Sequence, residues 1–281
     1  MRKILAMAAL AATAGIALVA CGDDDDEAQA ASFEMVQPAS GAPTLSGPTS
    51  LKAGTVAVTF KNTGQAPADL QLVSVEGDHS TEEVLAVVNN NEEDSKIPDW
   101  IAAEGGVGTV APGQSQTATV ALGSGKFYAI GSVETEDEEA EDAPSPAPVA
   151  FEVTGSGKGS LPKADATVTA KEYSFDVKGL KAGSHTLKFE NGGEQLHHLI
   201  AAPMVEGATI DQVKEFFNTE EGQPPLDFEA GIGTAVIDKD RGLVTTMDFK
   251  PGKWAFVCFM TDRAGGAPHA MQGMIQEVNI G

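Results

Sequence analysis

The sequence predicts an all-β chain of two tandem Greek-key sandwiches, each interrupted by one short helix. Three observations carry this. Short apolar segments alternate with period two between Gly, Pro and Asn turns. The tetrapeptide Leu51-Lys52-Ala53-Gly54 recurs 129 residues later as Leu180-Lys181-Ala182-Gly183. Once an export signal is set aside, the roughly 250 residues left suit two domains of ordinary size.

Arg2 and Lys3 precede an apolar run over 4–20, the charged and hydrophobic regions of an export signal. The run ends in Leu18-Val19-Ala20-Cys21, which resembles the lipobox of bacterial lipoproteins. That resemblance implies cleavage before Cys21, lipidation of Cys21 and attachment to the outer face of the cell membrane. The alternative is an ordinary signal that ends near a cysteine. The run is short for a membrane span, and Gly22-Asp23-Asp24-Asp25-Asp26-Glu27 follows it where a stop-transfer segment would be basic. Residues 1–21 are thus read as signal and lipobox, 22–31 as an acidic tether and 32–154 as the first sandwich. Residues 155–163, rich in Gly, Ser and Lys, read as a linker, and 164–281 as the second sandwich.

Each copy of the tetrapeptide leads into an alternating strand, over 55–60 and 184–189, that ends at an Asn/Gly turn: Asn62-Thr63-Gly64 and Asn191-Gly192-Gly193. Ser80-Thr81-Glu82-Glu83 and Thr209-Ile210-Asp211-Gln212 have the spacing of helix-opening capping boxes. Gly125-Lys126-Phe127 and Gly252-Lys253-Trp254 introduce an apolar strand late in each half, and 149–153 and 274–278 supply the last one.

Loss of the signal removes two of the 18 basic residues and none of the 41 acidic ones, so the formal charge moves from −23 to −25. Such a chain is a poor partner for nucleic acid. The charge keeps the protein soluble and can steer a basic protein or a cation toward it. With Cys21 committed to lipid, Cys258 is the only remaining thiol, and no internal disulfide can form. A lone thiol outside the cytoplasm needs burial, catalysis or metal ligation to account for it.

Trp254, Phe256 and Cys258 share one face of a strand. Downstream come Pro268-His269 and Met274, and upstream the turn at Asn191 leads into Gln195-Leu196-His197-His198-Leu199-Ile200. Two imidazoles, a thiolate and a thioether are the donors of a mononuclear copper site. Here the chain resembles the cupredoxins, the blue copper proteins such as plastocyanin and azurin, over most of 164–281. The resemblance implies one type 1 copper with His197, Cys258, His269 and Met274 as ligands, and electron exchange with a redox partner protein. His197 is favoured over His198 because the ligand then precedes an apolar strand; Met260 and Met271 are alternatives to Met274. His269, on a loop, is the expected exit for the electron. The Cys-to-His loop, 259–268, is longer than in the small electron carriers.

Alignment of the halves sets His197 opposite Ala68, Cys258 opposite Gly131, and His269 and Met274 opposite Pro144 and Val149. The first sandwich therefore lacks these ligands and reads as a spacer, shield or docking module. Three other readings stand beside electron transfer. One is Cu(I) binding and delivery through Cys258, Met260, Met271 and Met274; another is a cell-surface interaction module without metal. The third is a cysteine–histidine nucleophile, for which no orienting Asn or Asp is identifiable in the sequence. Gly105-Gly106-Val107-Gly108 lacks the lysine of a phosphate loop, and His79 and His185 are expected to be exposed.

Overall fold

A computed structural model describes residues 28–38, 41–90, 95–133, 145–219 and 221–281. The segment expected as export signal, Cys21 and most of the expected tether lie outside the described residues. The fold is all-β, with one short helix in each half.

The first half runs β1 (Gln29–Val36), β2 (Thr44–Ser46), β3 (Ser50–Lys52), β4 (Gly54–Asn62), β5 (Ala68–Val75), α1 (Thr81–Val88), β6 (Ile101–Val110), β7 (Ser115–Leu122), β8 (Gly125–Val133) and β9 (Val149–Thr154). The second runs β10 (Ala166–Lys171), β11 (Ser174–Lys178), β12 (Gly183–Asn191), β13 (Ile200–Pro203), α2 (Ile210–Thr219), β14 (Ile232–Gly233), β15 (Gly242–Phe249), β16 (Gly252–Val257) and β17 (Ile275–Ile280). β1 takes in 29–31, expected as tether: Ala31 is buried and Gln29 pairs with Val56, so the strand's inward alternation starts earlier than the acidic composition suggests.

The repeat is visible in side-chain detail. On β4, Val56, Val58 and Phe60 point inward, and Leu187 and Phe189 do so on β12. Asn62 then turns its amide onto the carbonyls of Ala66 and Val110 and accepts the N–H of Gly64. Asn191 repeats this with Gln195, Ile237 and Gly193. Ser80 and Glu83 close a reciprocal capping box on α1, and Thr209 and Gln212 bond in the same way ahead of α2.

The two sandwiches share a sheet. Its eight strands run β11-β10-β12-β15-β7-β4-β1-β2, with the second half joined to the first where Leu243, Val244 and Thr245 of β15 pair with Val120, Thr119 and Ala118 of β7. Facing this long sheet are β3-β9-β8-β5-β6 in the first half and β14-β13-β16-β17 in the second. One apolar core runs between the layers through both halves, from Phe33 and Phe60 to Phe189, Phe249 and Phe256. The stretch 155–163 forms no strand and is tied to β4 by Ser160, whose N–H and carbonyl bond the hydroxyl of Thr55.

The Gly105-Gly106-Val107-Gly108 run lies in β6, against the second half. A side chain at Gly108 would collide with the carbonyl of Gly233, so the glycine permits close backbone approach. Beside it Gln71 bonds both the N–H and the carbonyl of Val236. The buried Glu104 takes hydrogen bonds from Ser74 and from Arg241 of the second half.

Candidate metal centre

The centre is assembled by one turn, one strand and one loop. The Asn191 turn delivers His197, whose backbone exchanges hydrogen bonds with Ile237 at 3.0 and 2.8 Å. On β16, Trp254 and Phe256 point into the main core, and Cys258 follows on the same face, fully buried. Ala255 and Val257 face the other way and pack against Val213 and Phe217 of α2, which explains the helical insertion: β16 needs apolar cover on both faces. After Cys258 the chain loops through 259–268 to His269, whose N–H bonds the carbonyl of Met260 and whose carbonyl accepts the N–H of Met274.

Cys258 Sγ lies 3.7 Å from His197 Nδ1 and 3.6 Å from His269 Nδ1. All three donor atoms fall within 4.8 Å of one another, and all three side chains are buried. With bonds of about 2.0 Å to nitrogen and 2.3 Å to sulfur, a trigonal ion sets each nitrogen–sulfur separation near 3.7 Å. Both nitrogen–sulfur separations fit an ion shared by the three donors. Two imidazoles and one thiolate in a buried trigonal array, beside a methionine, are the donors that select copper in its electron-transfer geometry.

This is the donor set of a type 1 copper centre. The sequence matches no family model and no curated protein. Among solved structures, a dithionite-reduced auracyanin from Roseiflexus castenholzii is 19% identical over 41% of this chain and 94% of its own, with a TM-score of 0.28. A copper nitrite reductase from Nitrosomonas europaea is 13% identical over 90% of this chain and 93% of its own, TM-score 0.24. A multicopper oxidase is 15% identical over 91% and 88%, TM-score 0.21. At such low identities and TM-scores, fold and centre are read from the strand registers and donors above.

The structure separates the adjacent histidines. His197 faces Cys258, whereas His198 turns away, and its Nε2 accepts the N–H of Phe259 at 2.9 Å. Met274 is fully buried in the same core as Cys258 and bonds its carbonyl to the Cys258 N–H at 3.3 Å. Met260 packs against that core, and Met271 sits in the turn after Pro268. In the metal-free protein burial pushes the Cys258 thiol up to about 12, with the backbone N–H groups of His198 and Met260 pulling the other way. Burial, reinforced by His269, brings His197 down to about 4; burial also lowers His269, against the pull of Asp262. Neutral imidazoles stand ready to coordinate, while the thiolate awaits a cation.

His269, the expected exit for the electron, is fully buried. Its Nε2 donates to Asp262 at 3.1 Å, and the Tyr173 hydroxyl donates to both oxygens of that carboxylate. The Tyr173 ring meets His269 edge-on at 5.0 Å. His197 Nε2 has no hydrogen-bond partner among the described residues and lies 3.7 Å from Glu172. Sequence reasoning missed Asp262, Tyr173 and Glu172; the expected length of the 259–268 loop was the available signal, since that loop carries Asp262. His79 and His185, expected to be exposed, are partly buried: His79 stacks on Trp100, and His185 Nε2 bonds the Ala182 carbonyl.

Strand pairing tests the alignment of the halves. Ile200 pairs with Val257 as Gln71 pairs with Ile130, which agrees with placing Cys258 opposite Gly131 and His197 opposite Ala68. At the C-terminal strand the pairing corrects it. Gly252 pairs with Ile280 as Gly125 pairs with Val153, so Met274 stands opposite Ala147 rather than Val149. The pairing expected for His269, Pro144, lies outside the described residues. In the first half the cysteine's place is filled: a side chain on Gly131 would run into the end of Met35.

Proposed function

We propose that the chain is an exported, lipid-anchored electron-transfer protein carrying one type 1 copper in its second sandwich. One observation carries this reading: the Nδ1 atoms of His197 and His269 flank Cys258 Sγ at trigonal spacing inside a fully buried shell. Copper bound there would supply a one-electron couple. Cys258 on its strand and His197 on its braced turn hold one donor geometry in both oxidation states, which keeps reorganisation small. Met274, bonded through its backbone to both Cys258 and His269, would supply the thioether donor. Burial of all three donors favours electron exchange over delivery of copper ions, because an electron leaves a closed shell more readily than an ion does. It likewise leaves no open position for a substrate, and an electron carrier is favoured over an enzyme.

The partner is a redox protein, and the acidic charge of the chain suits a basic docking face on it. Anchoring rests on the lipobox at Cys21; no helix among the described residues is long and apolar enough to cross a membrane. Adding Cu(II) to the purified protein should produce an intense blue thiolate-to-copper band with one copper per chain and reversible cycling between two oxidation states. A protein that stays colourless and holds no stoichiometric copper overturns the reading, and one that binds Cu(I) but does not cycle supports the delivery reading.

A further inference from the structure

The loop from Phe259 to Pro268 lies against the first sandwich, and Arg263 is where the two meet. Its guanidinium donates to the carbonyls of Pro98 and Ile101 at 3.0 Å each and reaches that of Ile97 at 3.5 Å. Its own carbonyl accepts the Ile97 N–H at 2.9 Å. From the second half, Asp238 pairs with the guanidinium and the Gln195 side chain accepts the Arg263 N–H at 2.8 Å. Backbone and side chain of Arg263 are thus both fixed, mainly by 97–101 of the ligand-free half. The residue before it, Asp262, takes the Nε2–H of His269.

On the copper reading given above, we propose that the first sandwich is the positioning scaffold of His269: by clasping Arg263 it pins Asp262 onto the outer nitrogen of that imidazole. The contact has a chemical consequence. A proton held on Nε2 leaves the lone pair on Nδ1, the atom that faces Cys258. The carboxylate also makes the imidazole a stronger donor and favours Cu(II) over Cu(I). Tyr173, donating to the same carboxylate, fixes its second side. Asp262 and Arg263 act through His269 and are positioning residues.

Four full-length variants test this: Asp262→Ala, Arg263→Ala, Arg263→Lys and the double Asp262→Ala/Arg263→Ala. Arg263→Lys keeps a charge opposite Asp238 but lacks the fork that spans several carbonyls, and it guards against a loss of folding in the alanine variant. In the metal-free protein, 15N-edited NMR should show a slowly exchanging Nε2 proton on His269 that Asp262→Ala and both Arg263 variants lose. In the copper-loaded protein, Asp262→Ala should weaken Cu(II) relative to Cu(I) about tenfold, which raises the midpoint potential by about 59 mV. Arg263→Ala and Arg263→Lys should shift it in the same direction, and the double variant no further than Asp262→Ala alone. A merely structural Arg263 would lower stability and move neither reading. The proposal is overturned if both Arg263 variants keep the protected proton, or if the shifts of the single variants add. If the wild type takes up no copper, the function proposed above fails, while the proton measurement still decides this inference.

Discussion

His198 Nε2 accepts the backbone N–H of Phe259 at 2.9 Å, tying the residue after one ligand to the residue after another. The two adjacent histidines therefore have different tasks. His197→Ala should abolish the blue copper band. His198→Ala should keep it and lower stability by about 1–3 kcal/mol, because a buried N–H loses its acceptor. Copper titration and urea unfolding of the two variants check this.

The metal-free protein should lose stability on mild acidification. His197 is held down at about 4 and His198 at about 3, in both cases chiefly by burial. The unfolded chain takes up protons at these residues near pH 6.5 while the folded chain does not, so the stabilisation present above pH 6.5 is lost as pH falls toward 4. The slope approaches about 1.4 kcal/mol per pH unit for each histidine. Urea midpoints of the metal-free protein between pH 7 and 5 should fall accordingly; a flat profile contradicts it.

In the first sandwich a side chain at the position opposite Cys258 meets the flexible end of Met35. Gly131→Ala should cost about 1 kcal/mol through overpacking against Met35. Combined with Met35→Ala, it should cost less than the two single changes added together. Denaturation of the three variants reads the coupling.

Arg241 bridges the halves through the buried Glu104. Arg241→Ala leaves that carboxylate with the Ser74 hydrogen bond and the nearby charge of Lys158, and should cost about 3 kcal/mol. Arg241→Ala/Glu104→Leu should recover part of the loss, measured by thermal unfolding.

Much of the fold was legible in the sequence because it is written in local patterns: the alternation in 55–60 and 184–189, the Asn62 and Asn191 turns, and the capping residues Ser80 and Thr209. The donors were legible for a similar reason, since their residue types and order follow from chemistry. Three features were not. The fusion of the sheets depends on the pairing of Leu243 with Val120, two segments far apart in sequence whose alternation is the same paired or unpaired. The closure of His269 depends on where Asp262 and Tyr173 meet in space. Counting back from the last strand misplaced Met274 by two residues, because the loops before β9 and β17 leave no residue pattern that fixes their relative lengths.

The pairing of β7 with β15 also bears on how the chain can be divided. Each strand would otherwise present a row of unsatisfied N–H and C=O groups to its surroundings, an invitation to association with other chains. Either half made alone would expose this seam, and aggregation is the expected hazard. The ligand-free half thus covers an edge that its neighbour would otherwise expose.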